Sequence, residues 1–348
     1  MKKQKPFEFA GVSIEPGSRR TVDIPLGVLS NHTPVSLPVH VINGRKRGPV
    51  IFVSAAIHGD EINGVEIVRR LLHAKPVDRI AGTLLAVPIV NAIGFLNHSR
   101  YLSDRRDLNR SFPGSETGSM AARLAHTFLN MVVARCDAGI DLHSAAIHRT
   151  NLPQIRISAD DPGTIRLAEA FGAPLILKSG LREGSLRQAA ISRGVEIMVY
   201  EAGEGLRFDE LAIRAGVTGI LRVMQSLGML GPKAVRSART QPLFSHSSKW
   251  VRAPAGGILR AYKGTGEWVT GGDLLGIVSD PFGVNETEVR AATAGLVIGR
   301  TNLPVVNEGE ALFHIASVDE AGLPAETRIG RIEAQLQSDP LFDEDEII

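Results

Sequence analysis

The chain has 348 residues, 43% of them hydrophobic and 22% charged, which is soluble globular usage and excludes wholesale disorder, a collagen-like fibre and a coiled coil. Basic residues number 39 and acidic residues 37, a balance without the Lys/Arg stripe that phosphate binding needs, so no nucleic-acid partner is expected. The single Cys136 excludes an internal disulfide framework and a Cys-rich metal site, and permits a reducing compartment. Apolar runs such as PVIFVSAAI and GTLLAVPIV fall far short of the ~20 residues that span a bilayer. No apolar segment follows the N-terminal lysines as in a signal peptide. The expectation is a cytoplasmic chain with no membrane contact, built as two domains or one large domain with an appendage.

Residues 1–48 read as short strands and turns. VSLPVHVI (35–42) alternates like a half-buried strand, and NGRKRG (43–48) supplies a polar turn. PVIFVSAAI (49–57) is continuously apolar, as in a strand covered on both faces. EINGVEIVRRLLHA (61–74) predicts a helix with Ile62, Val65, Val68 and Leu72 on one face. GTLLAVPIV (82–90) is a second buried strand. Residues 91–118 have no periodicity and are rich in Asn, Arg, Asp, Gly and Pro; an irregular segment of that length inside a compact domain is usually functional.

SMAARLAHTFLNMVVA (119–134) predicts a helix with Met120, Leu124, Phe128 and Val132 in register, and AGIDLHS (138–144) a short strand. PQIRIS (153–158), APLILKS (173–179) and VEIMVYE (195–201) read as further strands, separated by helices over GTIRLAEAFG and SLRQAAISRG. A long helix over 208–230 closes the block. Such alternation indicates an α/β architecture, a mostly parallel sheet covered on both faces. GPKAVRSARTQPLFSHSSKW (231–250) reads as a linker. Beyond it, VRAPAGGILRAYKGTGEWVTGGDLLGIV (251–278) resembles VRAATAGLVIGRTNLPVVNEGEALFHIA (289–316), a duplication that predicts a small pseudo-symmetric β-sandwich or barrel. The acidic end, DPLFDEDEII, reads as frayed.

Four segments carry polar residues where chemistry would need them. His58 and Glu61 stand where a buried strand ends and a helix begins, and ligands bind at the carboxyl ends of strands in open α/β sheets. An imidazole and a carboxylate three residues apart suit zinc, whose nitrogen and oxygen ligands sit at ~2.0–2.2 Å; helix capping is the plainer alternative. His143 ends another apolar strand, two residues after Asp141, which could order the surroundings; a histidine satisfied at a sheet edge is the alternative there. Two histidines and one carboxylate from separate strand ends form a recognised catalytic zinc set. Arg100, Arg105, Arg106 and Arg110 are four arginines within eleven residues, either an anion-binding wall or a solvated basic loop. Glu201 ends the VEIMVYE run, as a helix cap or as a general base facing the crevice.

The ordered set His58-x-x-Glu61, Asp107-Leu108-Asn109-Arg110-Ser-Phe-Pro-Gly, Asp141-Leu142-His143-Ser144 and Glu201 resembles the succinylglutamate desuccinylase/aspartoacylase family of zinc carboxypeptidase-like amidohydrolases, over roughly residues 45–230. The resemblance implies one Zn²⁺ per chain bound by His58, Glu61 and His143. It implies Glu201 as the base that activates water, and Asn109 and Arg110 as holders of a substrate carboxylate. Arg100 would polarise the scissile carbonyl, with Arg105 and Arg106 competing for that role. The implied activity is hydrolysis of the amide bond of a small N-acyl amino acid. The implied fold is a mixed α/β sheet followed by a β-rich domain at the active-site mouth, which places an amidohydrolase unit at 1–235 and a β-rich unit at 250–325.

The duplicated segment also resembles the biotinyl/lipoyl type of barrel-sandwich carrier. The connection Ser279–Glu288 holds no lysine, so cofactor carriage is not expected and the segment reads as a wall or lid over the zinc. A metallocarboxypeptidase acting on peptides and a non-catalytic small-molecule-binding module are the competing readings. Gly264-Thr-Gly266 lacks the following helix of a dinucleotide loop, and no Gly-x-Ser-x-Gly elbow occurs. Cys136 reads as a packed small hydrophobe. Acyl group, amino acid and oligomeric state stay open, a homo-oligomer included.

Overall fold

The structure, a computed structural model, describes residues 3–158, 161–238, 240–318 and 324–337; the acidic end 339–348 lies outside them. In chain order, a small hairpin of β1 (Phe7–Phe9) and β2 (Val12–Ile14) is followed by the antiparallel pair β3 (Ser18–Val28) and β4 (Pro34–Asn43). Then come β5 (Lys46–Ala55), α1 (Asn63–His73), β6 (Ala81–Val87), the short α2 (Ala92–Leu96), α3 (Met120–Met131), β7 (Ala138–His143) and β8 (Arg149–Ile157). The block closes with α4 (Pro162–Phe171), β9 (Leu175–Lys178), α5 (Leu186–Ile191), β10 (Glu196–Gly203) and α6 (Glu210–Ser226). The remainder is β11 (Leu243–Arg252), β12 (Gly257–Ala261), β13 (Trp268–Val269), β14 (Leu274–Ser279), β15 (Glu286–Arg290), β16 (Gly295–Thr301), β17 (Val305–Val306), β18 (Ala311–Val318) and a terminal helix, α7 (Ala325–Gln337).

One twelve-stranded sheet runs β13-β16-β18-β11-β9-β8-β10-β7-β5-β6-β4-β3. It is mixed, and the expected parallel pairing holds only along β6-β5-β7-β10 and β8-β9-β11. Chain length explains the exceptions. A parallel return needs a crossover of about a dozen residues or more, whereas β7 and β8 are joined by 144–148 alone. β8 accordingly runs antiparallel to β10.

Apolar strands pack helices on both faces. α1, α4 and α6 bury Ile67, Val68, Leu71, Phe171 and Ile220 on one side; α3 and α5 bury Leu124, Phe128, Leu186 and Ala190 on the other. Burying each of these side chains other than Ala190 is worth about 1.5–3 kcal/mol. The buried face of α1 centres on Ile67, Val68 and Leu71, while Ile62, Val65 and Leu72 are only half-buried. α6 lies against α1 and packs on Ile67, whose side chain abuts Gly216. Met120 opens α3 and stays exposed.

The duplication folds as two four-stranded layers, β15-β14-β12-β17 and β13-β16-β18-β11. Exchanging β11 with β15, β12 with β16, β13 with β17 and β14 with β18 maps one layer onto the other. Only the second layer continues into the main sheet, because β11 pairs parallel with β9 and β16 pairs with the start of β8. The stretch read as a linker therefore turns into sheet at Leu243.

Candidate metal centre and the surrounding cleft

β5 and β7 are parallel neighbours with Ala55 opposite Leu142, so the residues that leave their carboxyl ends emerge side by side. His58 follows β5 and His143 is the last residue of β7. The turn carrying His58 and Glu61 is held against both strands by a close approach of α1. A Cβ added at Gly64 would stand 2.8 Å from the Cβ atoms of both Ala55 and Leu142, so glycine is what lets the helix start sit this low.

The result is a buried cluster of His58, Glu61 and His143, whose ligand atoms all lie within 4.8 Å of one another. His58 Nδ1 is 2.7 Å from Glu61 Oε1, and His143 Nδ1 is 2.7 Å from Glu61 Oε2. The far nitrogens are engaged by carboxylates: His58 Nε2 lies 3.1 Å from Asp107 Oδ1, and His143 Nε2 2.8 Å from Asp141 Oδ2. Asp141 is itself held by the Ser54 hydroxyl at 2.8 Å. Arg100 donates through Nε and Nη2 to Asp107 Oδ2 and through Nη1 to Glu61 Oε1.

Electrostatics follow from that wiring. Burial alone would push the Glu61 carboxyl up, but His58 and His143 hold it well below the carboxylate range. Burial opposes the charged form of both histidines, yet Glu61 and Asp107 raise His58, and Asp141 and Glu61 raise His143 well above the ordinary value. A buried carboxylate demands positive charge beside it, which the two imidazoles supply when protonated and which a divalent cation among the same three side chains would supply in their place. The donor set fits zinc: two imidazoles oriented by carboxylates at their far nitrogens, plus one carboxylate.

A cavity of about 260 Å³ opens beside the cluster. Glu201 lines it from β10, opposite His143 in the ladder. Asn109 and Arg110 also line it, although the Asn109 side-chain carbonyl accepts from the Leu186 N–H at 2.9 Å. Of the three competing arginines only Arg100 reaches the cavity; Arg105 and Arg106 are exposed in the loop. His98 is exposed as well.

Sequence reading missed much of the wall. Arg149 and Arg156 come from β8, Arg182 and Arg187 from the stretch around the start of α5, and Trp250 from β11. Arg149 stacks over Trp250 with its guanidinium 5.4 Å from the ring, and Trp250 stacks on His314 at 4.4 Å. Among the described residues Arg187 hydrogen-bonds neutral acceptors, Ser179 Oγ and the carbonyls of Ser179 and Gly180. Burial, with Arg156 nearby, pushes its pKa down to about 10. The available signal was positional: an arginine inside the apolar run PQIRIS needs a polar destination on one face of the sheet.

Residues 47–227, more than half of the chain, match the family model described as the succinylglutamate desuccinylase/aspartoacylase catalytic domain. The chain belongs to this family. Among its relatives is the N-alpha-acetyl-L-2,4-diaminobutyric acid deacetylase of Halomonas elongata, 27% identical over 299 residues that cover 82% of this chain and 87% of the relative. The same fold is seen in the ectoine utilization protein EutE (DoeB) of Ruegeria pomeroyi with bound product, at a TM-score of 0.79 and 23% identity over 90% of this chain and 99% of that one. A succinylglutamate desuccinylase/aspartoacylase from Rhodobacter sphaeroides matches with a TM-score of 0.76 and 24% identity, over 86% and 96% of the two chains. Among the described residues no helix is long and apolar enough to cross a membrane.

Proposed function

We propose that this member of the succinylglutamate desuccinylase/aspartoacylase family hydrolyses the amide bond of a small N-acyl amino acid, using one Zn²⁺ per chain held by His58, Glu61 and His143. One arrangement carries the reading: both Nδ1 atoms face Glu61 while both Nε2 atoms face carboxylates. The named activity of the Halomonas relative supports the reaction class.

When bound, zinc supplies Lewis acidity and lowers the pKa of water. Glu201, which lines the cavity, takes a proton from the attacking water on a carboxylate oxygen and returns it to the leaving amine nitrogen. Arg100, fixed by its fork on Asp107, directs positive charge at the oxygen where negative charge develops. Arg110 and Asn109 hold the substrate's free carboxylate and so orient the amide. Trp250 and the layer containing β11 wall the mouth and limit the site to small substrates. Because β11 and β16 complete the pairing of β9 and β8, this wall is tested by point substitution rather than by deletion.

Purified protein is expected to carry one zinc per chain and to release free amine from N-acyl amino acids, with little activity on peptides. Glu201→Gln should keep the metal and lose about 10²–10⁴-fold in rate. An amine-release assay beside metal analysis decides it, and wild-type rates in Glu201→Gln would remove the base. Preference for peptides would point to a metallocarboxypeptidase instead.

A further inference from the structure

Both carboxylate oxygens of Glu201 are met by side chains of one neighbouring strand. Arg156 Nη1 lies 3.2 Å from Oε1, and Asn151 Nδ2 lies 3.1 Å from Oε2. Side chains alternate between the faces of a strand, so positions 151 and 156 of β8 belong on opposite faces. A register shift brings them together. Val199 pairs with Arg156 and Gly203 with Asn151, so the four steps from 199 to 203 on β10 face the five steps from 151 to 156 on β8. The extra residue of this bulge reverses the alternation and turns Asn151 toward the face that carries Arg156 and Glu201.

On its other side, the start of β8 pairs with β16, and Asn151 stands opposite Gly299. A Cβ added at Gly299 would lie 2.7 Å from Asn151 Oδ1 and 3.2 Å from the Thr150 carbonyl oxygen. The missing side chain at 299 is therefore what leaves room for the Asn151 amide in the position from which it donates to Glu201. We propose that Gly299 of the C-terminal sandwich, acting through Asn151, positions Glu201 for catalysis, with Arg156 as the second arm of the clamp. The inference rests on Glu201 being the base proposed above. It gives the C-terminal strands a part in aiming the base, beyond walling the mouth. Asn151, Arg156 and Gly299 are positioning residues in this account, since they act on the reaction through Glu201.

The test is a double-mutant cycle on the zinc-loaded full chain, with kcat and KM measured on an N-acyl amino acid and zinc per chain determined for every variant. Asn151→Ala should lower kcat by about ten- to a hundredfold with KM and zinc content unchanged. Gly299→Ala should lower kcat similarly, because the new methyl group displaces the flexible Asn151 side chain. The double variant should be no slower than Asn151→Ala alone, since the displaced group is already gone. Losses that multiply, or wild-type kcat in either single variant, would overturn the proposal. Asn151→Ala only removes atoms and reads the clamp by itself should Gly299→Ala not fold. Glu201→Gln, measured alongside, separates the two levels. Inactive Glu201→Gln with fully active Asn151→Ala overturns the positioning alone, whereas active Glu201→Gln overturns the base and this inference with it.

Discussion

The floor and the rim of the cleft are built on different principles. On the floor, His58, Glu61 and His143 are all less than 6% exposed, and each polar atom that faces inward has a fixed partner. At the rim, Arg110 and Arg182 are exposed and Arg149 is half-buried, all three on loops or strand ends. A buried ionic cluster is tolerated only when its charges balance and its geometry is complete. A solvated rim has no such requirement and can change composition freely. Floor residues should therefore be intolerant and govern metal and chemistry, while rim residues should be tolerant and govern which substrate binds.

The comparison can be broken first through pH. Without metal, His58 and His143 hold protons above the ordinary value of about 6.5, so the stability they lend is full below that value and lost as pH rises through their raised values. Zinc must displace the same protons, so its affinity should climb by about tenfold per pH unit for each proton released, until both imidazoles are neutral. The gap in melting temperature between zinc-loaded and chelator-treated protein should therefore widen as pH rises. A gap independent of pH would mean that the histidines do not bind the metal.

Orientation of the ligands is next in size. Asp141→Ala leaves His143 Nε2 without its carboxylate and should weaken zinc binding by about 10–100-fold in chelator competition; unchanged affinity would make Asp141 merely structural. The rim sharpens the contrast. Trp250→Ala should raise KM or admit bulkier N-acyl substrates while leaving zinc content alone, and a loss of kcat with substrate range unchanged would contradict its place in the wall. Arg106→Ala is expected to do least. Arg106 is exposed, with its Nε 3.9 Å from the Asp104 carboxylate, and an exposed pair of that kind contributes about 0–1 kcal/mol. A tenfold change in kcat/KM on that substitution would return Arg106 to the candidates for carbonyl polarisation.

What the sequence revealed divides along the same line. The floor was legible because its residues end apolar strands: Ala-Ala-Ile-His58 and Ile-Asp-Leu-His143 show where buried strands stop, and short spacing keeps the partners of each motif local. The parallel centre of the sheet was legible for the same reason. The antiparallel turn of β8 was hidden in the length of the 144–148 loop. The arginines of β8 and α5 and Trp250 converge through pairings between segments far apart in sequence, β16 with β8 and β11 with β9, which leave no local periodicity. The bulge that brings Asn151 and Arg156 to one face is a property of two strands together and is written in neither alone.

The central claim is that one divalent cation sits among His58, Glu61 and His143. Anomalous scattering measured on both sides of the zinc absorption edge, from crystals of the zinc-loaded protein, tests it directly. The account predicts one strong peak per chain, about 2.0–2.2 Å from both Nδ1 atoms and a Glu61 oxygen. A peak elsewhere, or none at these three residues in protein that carries zinc, would contradict it.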